Sequence, residues 1–215
     1  AAKEIAAAFT AATGHTAVLS FGSTGQLYTQ ITQDAPFTVF LAADDERPQK
    51  AVDEGLAVSG TVFPYAIGRL VLWSREAGTV TGEDTLKAGR FTKVALANPK
   101  TAPYGAAAVQ AMKRMGVYEA LEPKLVQGNS IAQTYQFVET GNAEVGFVAL
   151  SQVIASDRGS RWPVPAMLHD PIRQDAVLLK KGADDPAARA FLEFLKGPEA
   201  ARVIEKYGYG AAANG

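Results

Sequence analysis

The 215-residue sequence contains no cysteine, which excludes disulfides, thiolate zinc sites, iron–sulfur clusters and cysteine nucleophiles in one step. A chain without thiols also suits an exported protein that meets an oxidising compartment. Histidine is scarce, and His15 and His169 are the two present. Neither belongs to a nucleophile–base arrangement, so each reads as a surface histidine. The G-x-S-x-G elbow, the Walker A loop and H-E-x-x-H are all absent, and no catalytic residue is assigned. No block of five or six like charges occurs, and 21 Lys and Arg against 22 Asp and Glu leave a net charge of −1. That balance argues against nucleic acid as a partner. The longest apolar run, Thr61 to Trp73, is interrupted by Pro64 and Arg69 and falls far short of the roughly 18 residues of a membrane span. The chain opens at Ala1 with neither an initiator Met nor a basic–apolar export segment. The expectation is that its start has been processed away.

What is present is an ordinary globular composition, 47% hydrophobic and 20% charged, in a length that gives a prior between one and two domains. Apolar periodicity alternates between strand and helix. Ile5 and Phe9 share a helical face that Gly14 terminates, and Val18, Leu19 and Phe21 read as a short strand. A helix with Leu27 and Ile31 follows, then a strand over Phe37–Ala42 and a helix over Asp45–Glu54 with Asp44 as its cap. Thr61–Trp73 reads as one long strand. The alternation resumes with strands at Val94–Ala97, Val145–Leu150 and Ala176–Leu179. The region from Arg158 to Pro165 reads as a loop. Helices start at Pro103, Asn129-Ser130, Asp185-Pro186 and Pro198, and the tail Gly210–Gly215 has little to bury. This pattern predicts an α/β architecture with parallel sheets in two lobes, the long strands near 61–73 and 171–181 crossing out and back.

Three helix starts carry the chemical interest, because unpaired N–H groups and the helix dipole make such positions anion sites. They are Gly22-Ser23-Thr24-Gly25, Pro103-Tyr104-Gly105 and Asn129-Ser130-Ile131. Taken singly, each is explained by capping, since Ser, Thr and Asn dominate these positions everywhere. Taken together they gather at the carboxyl ends of strands, where ligands of open α/β sheets bind. None contains Lys or Arg, which favours a small anion held by neutral dipoles.

Several stretches, in order along nearly the whole chain, carry a family likeness. They are Ser20-Phe21-Gly22-Ser23-Thr24-Gly25, Phe40-Leu41-Ala42-Ala43-Asp44, Tyr65 to Trp73, Asn98-Pro99 through Ala102-Pro103-Tyr104-Gly105, Gly146 to Leu150, and Phe194-Leu195-Lys196-Gly197-Pro198. Through them the chain resembles the periplasmic molybdate-binding proteins of bacterial molybdate ABC importers. The resemblance implies a type II periplasmic binding fold, two lobes each built on a mostly parallel sheet flanked by helices, with the ligand in the interlobe cleft. Residues 1–68 with 174–215 form lobe 1 in this reading, and residues 69–173 form lobe 2. It further implies an oxyanion shell of Thr24 with Ser23 beside it, Tyr104 and Ile131, the last two through their backbones. The late-strand Tyr that some members use is Ala149 here. Members also begin with a short apolar strand and a ligand-bearing loop ahead of the first helix. The resemblance implies that this sequence starts inside that helix, and the expectation is a lobe 1 without its first strand.

The implied function is capture of molybdate and tungstate, whose tetrahedral dianions differ little in size, and delivery to the membrane permease of an ABC importer. A monomeric, exported, periplasmic receptor without cofactor is expected, the metal entering as the oxyanion and not through direct protein ligands. Sulfate is smaller and would leave donors stretched. A protonated phosphate would need an acceptor, and none of the three loops contains Asp or Glu. The alternative is the effector-sensing domain of a transcriptional regulator with the same architecture, against which stands the lack of a helix-turn-helix or basic segment.

Overall fold

The computed structural model describes residues 1–210. The chain forms two compact units, Ala1–Ile67 with the return segment from Arg173 onward, and Gly68–Ile172.

The first unit holds helices α1 (Ala2–Thr13) and α2 (Thr24–Thr32), strand β1 (Val39–Leu41), helix α3 (Glu46–Asp53) and strand β2 (Phe63–Gly68). Strand β8 (Ile172–Leu178) and helices α9 (Pro186–Leu195) and α10 (Pro198–Lys206) complete it. The sheet order is β1-β8-β2, with β1 antiparallel to β8 in the register Phe40↔Val177. Strand alternation sorts β8 between two cores. Ala176 and Leu178 face Ile5 and Phe9 of α1 and Phe191, Leu192 and Leu195 of α9. Val177 and Leu179 face Tyr28 and Ile31 of α2 and Ala51 of α3. The Phe9 ring meets Phe191 edge-on at 5.1 Å. Gly14 ends α1 at φ 78°, a left-handed stop that glycine adopts without steric cost.

The strand expected over Val18–Phe21 does not form. Residues 16–22 are irregular, Val18 is 91% exposed and Phe21 64%. No backbone group of residues 16–22 makes a hydrogen bond among the described residues. A strand needs a neighbour to complete its ladder, and this segment instead borders a cavity of about 550 Å³ lined by Ala1, Phe9, Val18, Phe21, Val39 and Phe191 among others. The expected single strand over Thr61–Trp73 is two strands that break at Arg69, β2 and then β3 of the second unit. Gly210 exchanges hydrogen bonds with Ile67 (2.8 and 3.1 Å) and so is not part of a loose tail. Residues 211–215 of the expected tail lie outside the described residues.

The second unit holds β3 (Leu70–Ser74), α4 (Glu83–Ala88), β4 (Val94–Ala97), α5 (Pro103–Arg114), α6 (Tyr118–Leu121) and β5 (Leu125–Gly128). It continues with α7 (Ile131–Glu139), β6 (Val145–Ala149), α8 (Leu150–Val153) and β7 (Ser160–Pro163). Its sheet order is β5-β4-β6-β3-β7, with β4 parallel to β5 and β6, and β3 antiparallel to β6 and β7. Every residue of β3, β4 and β6 is buried, as expected for strands covered on both faces. The expected loop over Arg158–Pro165 contains the edge strand β7, whose Ser-Arg-Trp-Pro sequence alternates half-buried and exposed positions and closes on a proline. His169, expected at the surface, is buried with Nδ1 2.7 Å from the Asp170 carbonyl oxygen.

Candidate functional site

At the start of α2, Ser23 is extended (φ −66°, ψ 155°). Its Oγ accepts from Gln26 N at 3.2 Å, while Gln26 Oε1 accepts from Ser23 N at 3.1 Å. This capping box uses the third N–H of the helix and leaves those of Thr24 and Gly25 without an intrahelical partner. Because Ser23 Oγ is engaged as an acceptor, its proton remains available to donate. Thr24 Oγ1 likewise accepts from Ala43 N at 3.0 Å, tying the helix start to the end of β1. Both residues are 5% exposed. The first unit therefore presents two N–H and two O–H donors at one helix terminus, reinforced by the dipole of α2.

Two partly or fully buried carboxylates of this unit have basic partners of their own. Asp44 Oδ1 accepts from Arg47 N at 3.0 Å and Oδ2 meets Arg47 Nη1 at 2.7 Å. Burial raises the Asp44 pKa, and Arg47 opposes the rise. Asp175 is also raised by burial, opposed by Arg173 at 3.1 Å. Burial drives the Tyr65 phenol upward as well, so its hydroxyl stays neutral, 2.9 Å from the Ala42 carbonyl oxygen and 3.1 Å from Gln174 Oε1.

In the second unit, Tyr104 and Ile131 are brought to the same edge of the sheet. Their helices follow β4 and β5, which run parallel with Ala97 opposite Gly128. Asn98 N donates to Gly128 O at 2.9 Å across the two loops. Helix α5 opens with Pro103, which has no N–H to leave unpaired, and Tyr104 follows it, buried. Gly105 is required by contact: a Cβ there would lie 2.0 Å from the Ala97 carbonyl oxygen. Helix α7 starts at Ile131 behind the cap Ser130, whose Oγ accepts from Gln133 N at 3.1 Å. The N–H groups of Ile131 and Ala132 are the orphans of that turn.

Ser23 and Thr24 thus share one helix start, and Tyr104 and Ile131 share one sheet edge in the other unit. Three glutamines escaped sequence reasoning. Gln26 and Gln133 had a legible signal, since each follows a Ser by three residues. Gln152 had none: it follows Ala149, a residue that cannot cap, yet its Oε1 accepts from Ala149 N at 2.9 Å and its Nε2 donates to Ile131 O at 3.1 Å.

Among the described residues, N–H and O–H donors thus gather at helix starts in each of the two α/β units. Residues 1–210 match the family model described as bacterial extracellular solute-binding protein, and the chain belongs to that family. Among its relatives, the molybdate-binding protein ModA of Rhodobacter capsulatus is 60% identical over 208 residues, covering 97% of this chain and 82% of the relative. ModA of Azotobacter vinelandii is 56% identical over 212 residues, covering 97% and 84%. The solved Azotobacter vinelandii periplasmic molybdate-binding protein superposes with a TM-score of 0.94 at 38% identity, covering 97% of this chain and 93% of that one. These relatives are solute-binding proteins and not enzymes, and the fold is that of type II periplasmic binding proteins.

Proposed function

We propose that this protein is a periplasmic receptor that captures molybdate, and with it tungstate, and hands the oxyanion as a monomer to the membrane permease of an ABC importer. The donors assigned to the oxyanion are Ser23 and Thr24 on the first unit, and the main-chain groups of Tyr104 and Ile131 on the second. One observation carries the reading. Three helix starts offer N–H and O–H donors with no Lys, Arg, Asp or Glu in their loops, in a chain 60% identical to a molybdate-binding protein. Donors alone suit an anion that remains fully deprotonated at neutral pH. A monoprotonated phosphate would bring a hydroxyl for which the three loops hold no carboxylate acceptor, and a buried polar group left unpaired costs about 1–3 kcal/mol.

Thermal unfolding in the presence of molybdate, tungstate, sulfate, phosphate and chromate tests it. A ligand at 100 times its Kd stabilises by about 2.7 kcal/mol, so molybdate and tungstate should each raise the Tm clearly and sulfate much less. An equal rise with sulfate would reject molybdate as the ligand and leave an unselective anion receptor.

A further inference from the structure

The amide of Gln152 joins two loops that the sequence separates by 21 residues. Its Oε1 accepts the Ala149 N–H at the carboxyl end of β6 (2.9 Å), and its Nε2 donates to the Ile131 carbonyl at the start of α7 (3.1 Å). The amide can point in only one sense, because a backbone N–H needs an acceptor and a carbonyl needs a donor. We propose that Gln152 is a positioning residue for oxyanion binding, acting through the peptide between Ile131 and Ala132. This rests on the oxyanion reading above.

The peptide unit is a rigid plane, so fixing the Ile131 oxygen fixes the direction of the Ala132 N–H on its opposite side. That N–H and the Ile131 N–H are the two orphan donors of the α7 start, since Ser130 Oγ already takes the Gln133 N–H. The rest of the turn is held from within α7 and its own loop. Thr134 N and Oγ1 both donate to the Ser130 carbonyl (3.0 and 2.8 Å), and Gln133 Oε1 accepts from Asn129 N at 2.6 Å. Besides the helix bond accepted by the carbonyl of Ile131, the first residue of α7, Gln152 adds a strut that refers the Ile131–Ala132 peptide to the end of β6. A donor set that must not follow the anion inward needs such a reference, because discrimination between a larger and a smaller tetrahedral anion depends on donors that keep their spacing.

Two substitutions separate this role from simple scaffolding. Gln152→Met keeps the length and removes both hydrogen bonds without adding charge. Gln152→Glu keeps the acceptor for Ala149 N but sets a carboxylate oxygen against the Ile131 carbonyl at neutral pH. Calorimetric titration with sodium molybdate at pH 7 should show both variants binding about tenfold more weakly than the parent, with the preference over sulfate narrowed. On lowering the pH toward 5, Gln152→Glu should recover relative to the parent at the same pH, because protonation restores a donor to Ile131. Gln152→Met should not. Affinities within twofold of the parent for both variants, or one common pH profile for the two, would overturn the role. A parent chain that fails to bind molybdate while both variants stay folded would overturn the oxyanion reading itself, and the role of Gln152 with it.

Discussion

Gly105→Ala adds one methyl group at the most tightly packed point beside the candidate site. The new Cβ would lie 2.0 Å from the Ala97 oxygen, 2.7 Å from its carbon and 3.1 Å from the Asn98 carbon, all backbone atoms. Ordinary contact begins at 3.4 Å, so α5 must withdraw from β4 by about 3.4 − 2.0 = 1.4 Å at this point. Helix α5 is anchored by the buried Ala107, Ala108, Ala111 and Met112, which resist that movement. Overpacking of this kind costs about 1–3 kcal/mol. The greater helix propensity of alanine returns about 0.5–1 kcal/mol. With backbone atoms as the obstacle the clash lies toward the upper end of that range and wins, and a net cost of up to about 2.5 kcal/mol, at roughly 2–4 °C per kcal/mol for a chain of this size, should lower the Tm by up to about 10 °C. The effect on binding should be larger, because N–H groups at the α5 start move by about an ångström and an N–H···O contact loses its strength beyond about 3.2 Å. Loss of one hydrogen bond to a charged group is worth about 1.5–3 kcal/mol, or roughly ten- to a hundredfold in molybdate affinity. Calorimetry on the folded variant measures it. An affinity within twofold of the parent together with an unchanged Tm would refute the claim that the α5 start is rigidly placed and holds the ligand.

Thr24→Ala removes both a hydroxyl donor and the acceptor of Ala43 N, and should weaken molybdate binding by about 1.5–3 kcal/mol. Thr24→Ser should restore most of it, and Tyr104→Phe should change little if Tyr104 acts through its main chain; a large loss in Tyr104→Phe with none in Thr24→Ala would reverse the assignment. Burial lifts the Asp175 carboxyl above its unfolded-chain pKa, so the folded state holds that proton more tightly. The associated stability is complete below the ordinary Asp range and is lost as pH rises through the raised value. Asp175→Asn should therefore flatten the decline in urea stability as pH rises above the ordinary Asp range, and a slope equal to the parent's would contradict it.

What was legible in the sequence is what short-range chemistry determines. Val94–Ala97 reads as a strand because both of its faces are buried and all four residues are apolar. Ser130 and Asp185 read as caps because their side chains serve the turn that follows them. The failures are tertiary. Val18–Phe21 has the composition of a strand, but a ladder requires a partner, and none of the described residues provides one. Thr61–Trp73 reads as a single apolar run, whereas the chain changes sheets at Arg69, a switch that leaves no periodic trace. The edge strand β7 mixes Ser, Arg, Trp and Pro and owes its pairing to β3, with Leu72 opposite Trp162. At the site the two Ser-x-x-Gln helix starts are local and readable, while the reach of Gln152 to Ile131 spans loops and is not.

The central claim is that neutral donors at three helix starts select a large tetrahedral dianion. Calorimetric titration of the folded chain with molybdate, alone and with sulfate held in large excess, tests it most directly. The account predicts saturable binding of one molybdate per chain, little weakened by sulfate. No heat of binding with molybdate, or displacement by sulfate at comparable concentration, would contradict it.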